Sequence, residues 1–502
     1  VKLLRSLQIL LGVLLTFAVG ATVQAGNNKA SIFSTSLFPT GFSAKVTSQL
    51  RVQAVNNMAQ QADSSVTRQF AAHMAQVIAS QQVPLAALGK ELFFDTSLSN
   101  PAGQSCATCH SPLTGFTGPN SSVNLILGTV PGIVPGRFGN RNVPSVAYSV
   151  FSPTGPFYDS DFSAYAGGQF WDGRARNTTI QASFPFQNPN EMNNVLHNVA
   201  DPALVVQHIA DGPYSDFYKN VFGQDIFTKS VATNLECIGL AMSAYEQSPE
   251  VVPFSSKYDF YLAGKVLLSP AETRGLRLYS GTLNGRPGGV PNYKNAQCSL
   301  CHGIPSSTSA GPDIFSNFCY ANIGVPRNPR NPYYSMTNQG SNPLGYNPLG
   351  QNYIDMGLGD FLYPAAGLPS GNNGNDTVLI NGTFKAPSLR NVDKRPAGNF
   401  IKAYMHNGYF KSLSQVVHFY NTRNLTTQPG EVIDFTQPNP YAGLVGTPLW
   451  PAPEYVGQTL QNASGAPGSA AAQVGNLGLT TSEESDIVAF LKTLSDGWNG
   501  HN

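Results

Sequence analysis

Four cysteines and two histidines fall into two matching patterns, Cys106-Ala-Thr-Cys109-His110 and Cys298-Ser-Leu-Cys301-His302. Each pattern can attach a c-type haem covalently. Two thiols at this spacing add across the haem vinyl groups, and the adjacent imidazole reaches the iron from the same loop. Zinc half-sites use similar cysteines, but no further Cys/His pair at zinc spacing follows either motif. Two copies behind an export signal favour two covalent haems, with His110 and His302 as the proximal iron ligands.

The elements that must hold these motifs are helical. Leu88-Gly89-Lys90-Glu91-Leu92-Phe93-Phe94 leads toward the first motif. Ser269-Pro270-Ala271-Glu272 opens a helix toward the second, with Ser as N-cap, Pro in the first turn and Glu three residues on. Residues Asn234–Glu246 alternate at helical spacing, and a further helix is predicted around Val66–Ile78. Leu413, Val416, Val417 and Tyr420 fall at i, i+3, i+4 and i+7, one face of a helix. Thr481-Ser482-Glu483-Glu484 opens a closing helix with Ile487, Leu491 and Leu494 on one face and Phe490 at its edge. Gly115 to Gly139 reads as loop. Each half therefore reads as an all-α, c-type cytochrome unit, with long loop insertions. The N-terminal unit spans 81–265 and the C-terminal unit 266–502. Asn-, Pro-, Gly- and Tyr-rich insertions lie near 325–375 and 424–478.

Residues 1–25 read as a secretory signal peptide. Lys2 and Arg5 precede an apolar run from Ile9 to Val19, and Val23-Gln24-Ala25 supplies small residues for cleavage. An uncleaved anchor is the other reading; no later segment is apolar enough to span a bilayer. Val1 suggests a non-ATG start, hence a bacterial gene. Residues 26–80 form a polar extension. The formal net charge of +1 gives no electrostatic case for nucleic acid. Charged residues are only 11%, replaced by polar, Gly and Pro residues, which suits an exported protein with long loops. An oxidising compartment permits a disulfide between the two remaining cysteines, Cys237 and Cys319, and two separate buried thiols are the alternative.

The order LGKELFFDTSLSNPAGQSCATCH, QFWDGRA, QNPNEM, AETRGLRLY, CSLCHG, FKAPSLRNV, YMHNG and IVAFLKTLS resembles the bacterial dihaem cytochrome c peroxidases and their MauG-like relatives. The likeness runs from about Leu88 to Leu494, interrupted by the insertions. It implies a fold of two all-α cytochrome c domains packed around two haems, a peroxidatic one in the N-terminal unit and an electron-transfer one in the C-terminal unit. It also implies a periplasmic location and reaction with hydrogen peroxide. Electrons would come from a small cytochrome c or cupredoxin, or from side chains of a protein substrate.

The resemblance also assigns individual residues. Glu191 matches the family's distal glutamate, which moves protons during O–O cleavage. Trp171 matches the tryptophan between the haems. The region matching the peroxidases' distal His is Gly132-Ile133-Val134-Pro135-Gly136, and no His lies between His110 and His197. The first haem is therefore expected to be five-coordinate and open to peroxide. For the second haem, Met405 and His406 in Tyr404-Met405-His406-Asn407-Gly408 are candidate ligands, since His/Met ligation is common. The family ligand, however, lies fourteen residues after this His. That position is Tyr420, where the peroxidases carry Met and MauG carries Tyr. Arg390 is expected to pair with a haem propionate. Asn142 is expected to bind calcium with the carbonyls of Ile401 and Ala403, although Asp393–Phe400 is longer than the family pattern. A non-enzymatic dihaem electron carrier is the alternative from another class; it needs two six-coordinate haems and no proton donor above the iron.

Overall fold

The computed structural model describes residues 82–159, 164–197, 199–281, 294–303, 313–336, 347–362, 380–425, 449–455 and 474–500. The predicted signal peptide, the polar extension and the helix around Val66–Ile78 lie outside them, as do parts of both insertions.

Two helix crossings organise the chain. Helix α1 (Gln82–Phe94) crosses α2 (Val231–Glu246). Leu85, Leu88, Leu92 and Phe93 of α1 are buried against Ile238, Ala241, Met242 and Tyr245 of α2. Helix α3 (Pro270–Ser280) crosses α5 (Thr481–Lys492) in the same way. Leu276, Leu278 and Tyr279 meet Ile487, Phe490 and Leu491. Each crossing is closest at a glycine. A Cβ on Gly89 would stand 1.9 Å from the Ala241 carbonyl oxygen, and one on Gly275 would stand 1.9 Å from that of Asp486. Only glycine lets the backbones approach this closely.

The capping signals work as the sequence implies, with one shift. Ser269 accepts from the Glu272 amide, and Glu272 reaches back to Ser269. The closing helix is capped by Thr480 with Glu483, one residue earlier than Thr481. Helix α4 (Leu413–Thr422) starts at Ser412, whose side chain accepts from the Gln415 amide.

One hydrophobic cluster gathers residues from Leu85 to Val252, with Ile314 and Phe318 added from later in the chain. A second runs from Tyr258 to Leu494. The buried members of the two clusters part between Val252 and Tyr258. The short helix Lys257–Leu262 turns Tyr258 against Phe315 and Phe490, so it packs with the second cluster. The described residues are mainly helical, with three two-stranded ribbons. In one of these, Tyr320–Ala321 pairs with Phe384–Lys385. Cys237 and Cys319 are separate buried thiols.

Candidate active site: two cavities and a shared wall

The first motif forms one helical turn, Cys106–Cys109, with the His110 amide donating to the Cys106 carbonyl at 2.8 Å. The second is a tighter turn, Cys298–Leu300, with His302 donating to Cys298 at 2.9 Å. In both, the turn brings two thiols and an imidazole to one cavity wall. The first cavity, about 170 Å³, contains Cys106, Cys109 and His110 in its lining. The second, about 240 Å³, contains Cys298, Cys301 and His302.

Each imidazole is set for ligation. His110 Nδ1 lies 3.1 Å from the Phe116 carbonyl, and His302 Nδ1 lies 3.2 and 3.0 Å from those of Phe315 and Pro387. A carbonyl accepts only, so Nδ1 carries the proton and Nε2 keeps its lone pair. Burial lowers both imidazoles to about 4, against the opposing carbonyls, so both rings are neutral near pH 7. The cysteines behave as thiols: burial pushes Cys109 and Cys298 up to about 12 and Cys301 to about 11. Among the described residues no three His, Cys, Asp or Glu converge on a metal position. The donor sets fit haem attachment better than zinc. The first wall also holds two buried acceptors without a hydrogen-bond partner, Gln104 Oε1 and Glu246 Oε2, which leaves polar groups free for a guest.

Glu191 lines the first cavity. Asn188 Nδ2 donates to its Oε1 at 2.9 Å. Burial raises its pKa above the ordinary carboxyl value, with Arg174 and Asn188 opposing. The loop Gly132–Gly136 packs directly on this residue's segment: Ile133 N donates to the Glu191 carbonyl at 2.9 Å, and a Cβ on Gly132 would meet Asn190 O at 2.3 Å. His110 is the only histidine among the described residues of this wall, although Met192 and Met242 also line it.

Trp171 lines both cavities, as do Asn142, Pro144 and Lys385. Its indole N–H donates to the Asn142 carbonyl at 2.8 Å, and its own carbonyl accepts from Lys385 N at 2.9 Å. The turn Gln169–Ala175 presents it. There Gly173 sits at φ +75°, where a Cβ would strike the Tyr320 hydroxyl. Next in the chain, Asp172 binds Arg141 and Arg174. Burial works against this carboxylate, but the two guanidinium groups outweigh it and hold it below the usual range.

In the second cavity, Leu413, Val416, Val417 and Tyr420 all line the wall, so the predicted helical stripe faces the site. Burial pushes the Tyr420 phenol well up, reinforced by Cys301 and Cys298 and opposed by Arg423. Met405 and His406 line the same cavity. His406 stacks on Phe384 at 3.5 Å between ring centroids, and its Nε2 lies 3.4 Å from Glu454 Oε2.

Arg390 and Asn142 have partners within the protein. Arg390 is buried, and its fork binds Asp259 through both Nη atoms at 2.8 Å while Nε donates to the Asp313 carbonyl at 2.6 Å. Arg390 also lines the second cavity, and a bidentate carboxylate on its fork leaves further N–H donors on the guanidinium. Asn142 does meet Ala403, donating to its carbonyl at 3.0 Å and to that of Met405 at 3.1 Å. The Ile401 carbonyl instead accepts from Asn124 at 2.9 Å. Asn142 and Ala403, two of the three residues expected at calcium, therefore come together.

Sequence reasoning passed over Gln104, Glu246, Lys385 and Glu454. Lys385 stands in the quoted FKAPSLRNV string and Glu246 ends a quoted helix, so a buried charge on an apolar face was the available signal. Burial lowers Lys385 to about 7, with Asp172 opposing, and raises Glu246 to about 8. Glu454 lies in an insertion without periodicity and gave no signal.

A family model for di-haem cytochrome c peroxidase matches residues 84–266. The methylamine utilization protein MauG of Paracoccus denitrificans is 32% identical over 413 residues, 82% of this chain and 88% of that protein. The cytochrome c551 peroxidase of Nitrosomonas europaea is 26% identical over 344 residues, 68% of this chain and 73% of its own. The crystal structure of the diheme peroxidase BthA from Burkholderia thailandensis superposes with a TM-score of 0.58 at 31% identity, covering 83% of this chain and 86% of that one. A tyrosine-to-methionine variant of BthA superposes equally well.

Proposed function

Because this chain belongs to the dihaem cytochrome c peroxidase and MauG family, we propose that it is an exported oxidoreductase. It reduces hydrogen peroxide in the first cavity and draws electrons, through the second, from a small cytochrome c, a cupredoxin or a protein substrate. The observation that carries this reading is that Trp171 lines both cavities, each of which also holds one Cys-x-x-Cys-His set.

The two motifs would hold the haems, Cys106, Cys109 and His110 in one cavity and Cys298, Cys301 and His302 in the other. When bound, haem supplies redox-active iron. The chain's residues do the rest. Glu191, in a dry wall, accepts a proton from one peroxide oxygen and returns it to the other. Asn188 fixes the orientation of its carboxylate. Trp171 fills the partition and excludes water between the cavities. Tyr420 would supply the second ligand at the His302 site, where an anionic oxygen would favour the oxidised metal over the reduced one. Met405 is the competing ligand.

Four measurements test the proposal. A pyridine haemochrome assay should give two haems per chain, and Cys298→Ser should remove one attachment. The resting oxidised protein should show a high-spin EPR component and react with peroxide without prior reduction. An entirely low-spin spectrum would point to Met192 or Met242 as a sixth ligand and to the electron-carrier alternative.

A further inference from the structure

The two insertions meet at the second cavity, and what they bring there is a phenol and a proton acceptor. Tyr334, from the first insertion, is 3% exposed, and Glu454, from the second, is 7% exposed. The Tyr334 hydroxyl donates to Glu454 Oε1 at 2.5 Å. The other carboxylate oxygen accepts from Asn407 Nδ2 at 3.1 Å and faces His406 Nε2 at 3.4 Å. Glu454 and His406 line the cavity that holds His302 and Tyr420. Tyr334 therefore stands one side chain behind the cavity wall. On the other side the rings continue outward. Tyr353 lies 6.3 Å from Tyr334 between centroids, and the partly exposed Tyr333 lies 5.1 Å from Tyr353.

Taking an electron from a phenol while keeping its proton leaves a positive charge on the ring. Here that charge would be buried, which is costly. It would also sit under the Arg327 guanidinium, whose carbon is 3.9 Å from the ring centroid. A cation over a neutral ring is attracted to its face; over a charged ring it is repelled. Electron loss at Tyr334 must therefore be accompanied by proton loss, and the hydrogen-bonded acceptor is Glu454.

We propose that Tyr334 is a redox-active tyrosine that relays electrons into the second cavity, with Glu454 taking and returning its proton. This rests on the reading that peroxide oxidises the protein. In the step, the Tyr334 O–H bond breaks, the proton forms a bond to Glu454 Oε1, and one electron leaves toward the His302 cavity. The products are a neutral tyrosyl radical and a neutral Glu454 carboxylic acid. Two such electrons, with two protons from water, reduce one hydrogen peroxide to two waters. A one-electron donor outside, a phenol or a reduced redox protein, refills the radical through Tyr333 and Tyr353, and Glu454 gives the proton back. The two insertions together thus build an electron entry port.

Freeze-quench EPR after peroxide addition tests this. The wild-type protein should give a tyrosyl radical. Tyr334→Phe should lower its yield at least fivefold, and Glu454→Gln, which keeps the shape but cannot take the proton, should do the same. The resting optical spectrum reports whether each variant folds and holds its cofactors. A second arm uses flash photolysis with a ruthenium polypyridyl oxidant and no peroxide. The Tyr334-dependent part of the radical signal should form there too, more slowly in D2O and in Glu454→Gln. If peroxide leaves the protein unchanged while the photochemical radical still depends on Tyr334, the peroxidase reading fails and the tyrosine assignment stands. A radical of full yield in Tyr334→Phe, in either arm, overturns the assignment.

Discussion

Glu191 and Tyr420 line different cavities, and the proposed function gives them opposite tasks, one to move protons and one to hold a metal. Burial raises the Glu191 carboxyl above its ordinary value, so its carboxylate form is lost at a higher pH than for a free glutamate as acid is added. The rate of reaction with peroxide should therefore fall on the acid side at a pH above the usual carboxyl range. Glu191→Gln should slow the reaction by roughly 10²–10⁴-fold, the usual contribution of a positioned proton-transfer group, and remove that acid limb. Stopped-flow absorbance across pH 4–9 checks both. Tyr420→Phe keeps the ring that closes α4 against the cavity and removes only the oxygen. It should change the optical and EPR signature of the second haem, whereas Met405→Leu should leave that signature nearly intact. The reverse outcome would make the second haem His/Met and a higher-potential entry site.

At the scale of elements, each cysteine motif is carried by a helix pair that crosses at a glycine. The close approach at Gly89 and at Gly275 fixes the distance between α1 and α2 and between α3 and α5. Tyr279, four residues along α3, donates its hydroxyl to the His302 carbonyl, so the crossing also sets the second motif. Gly275→Ala should force the helices apart and destabilise the protein by about 1–3 kcal/mol or more, as overpacking does. It should broaden the spectrum of the second haem while sparing the first. Gly89→Ala should do the converse. Thermal unfolding followed in each haem band separates the two effects.

Over the whole molecule, the halves are tied by polar contacts between distant parts of the chain. Arg141 binds Asp172 beside it in space and Asp355 of the first insertion. The buried Lys402 Nζ donates to the carbonyls of Thr114 at 2.6 Å and Lys394 at 3.0 Å. Tyr148 donates to Asp496 at 2.8 Å. Such buried networks hold one arrangement of the two cavities, since a half-broken network leaves charges unpaired. Trp171 stands in the partition they fix. Trp171→Phe should leave two haems attached and peroxide reacting at the first, but slow the response of the second haem to peroxide by at least tenfold. Time-resolved spectra resolving the two haems would show it; equal rates in both proteins would remove Trp171 from the path between them.

Much of this protein was legible in its residues. The two Cys-x-x-Cys-His motifs, the Ser269–Glu272 cap and the stripe Leu413, Val416, Val417, Tyr420 depend on local spacing, and local spacing is what a sequence displays directly. The placement of Glu191 and Trp171 came through their surrounding strings and agrees with the cavities they line. Other features depend on which distant groups meet. Arg390 finds Asp259, 131 positions away. The Ile401 carbonyl accepts from Asn124, 277 positions away. Glu454 emerges from an aperiodic insertion to bind Tyr334 and face His406. Long side chains with several donors or acceptors have many satisfactory partners, and only the tertiary structure decides which one burial leaves within reach.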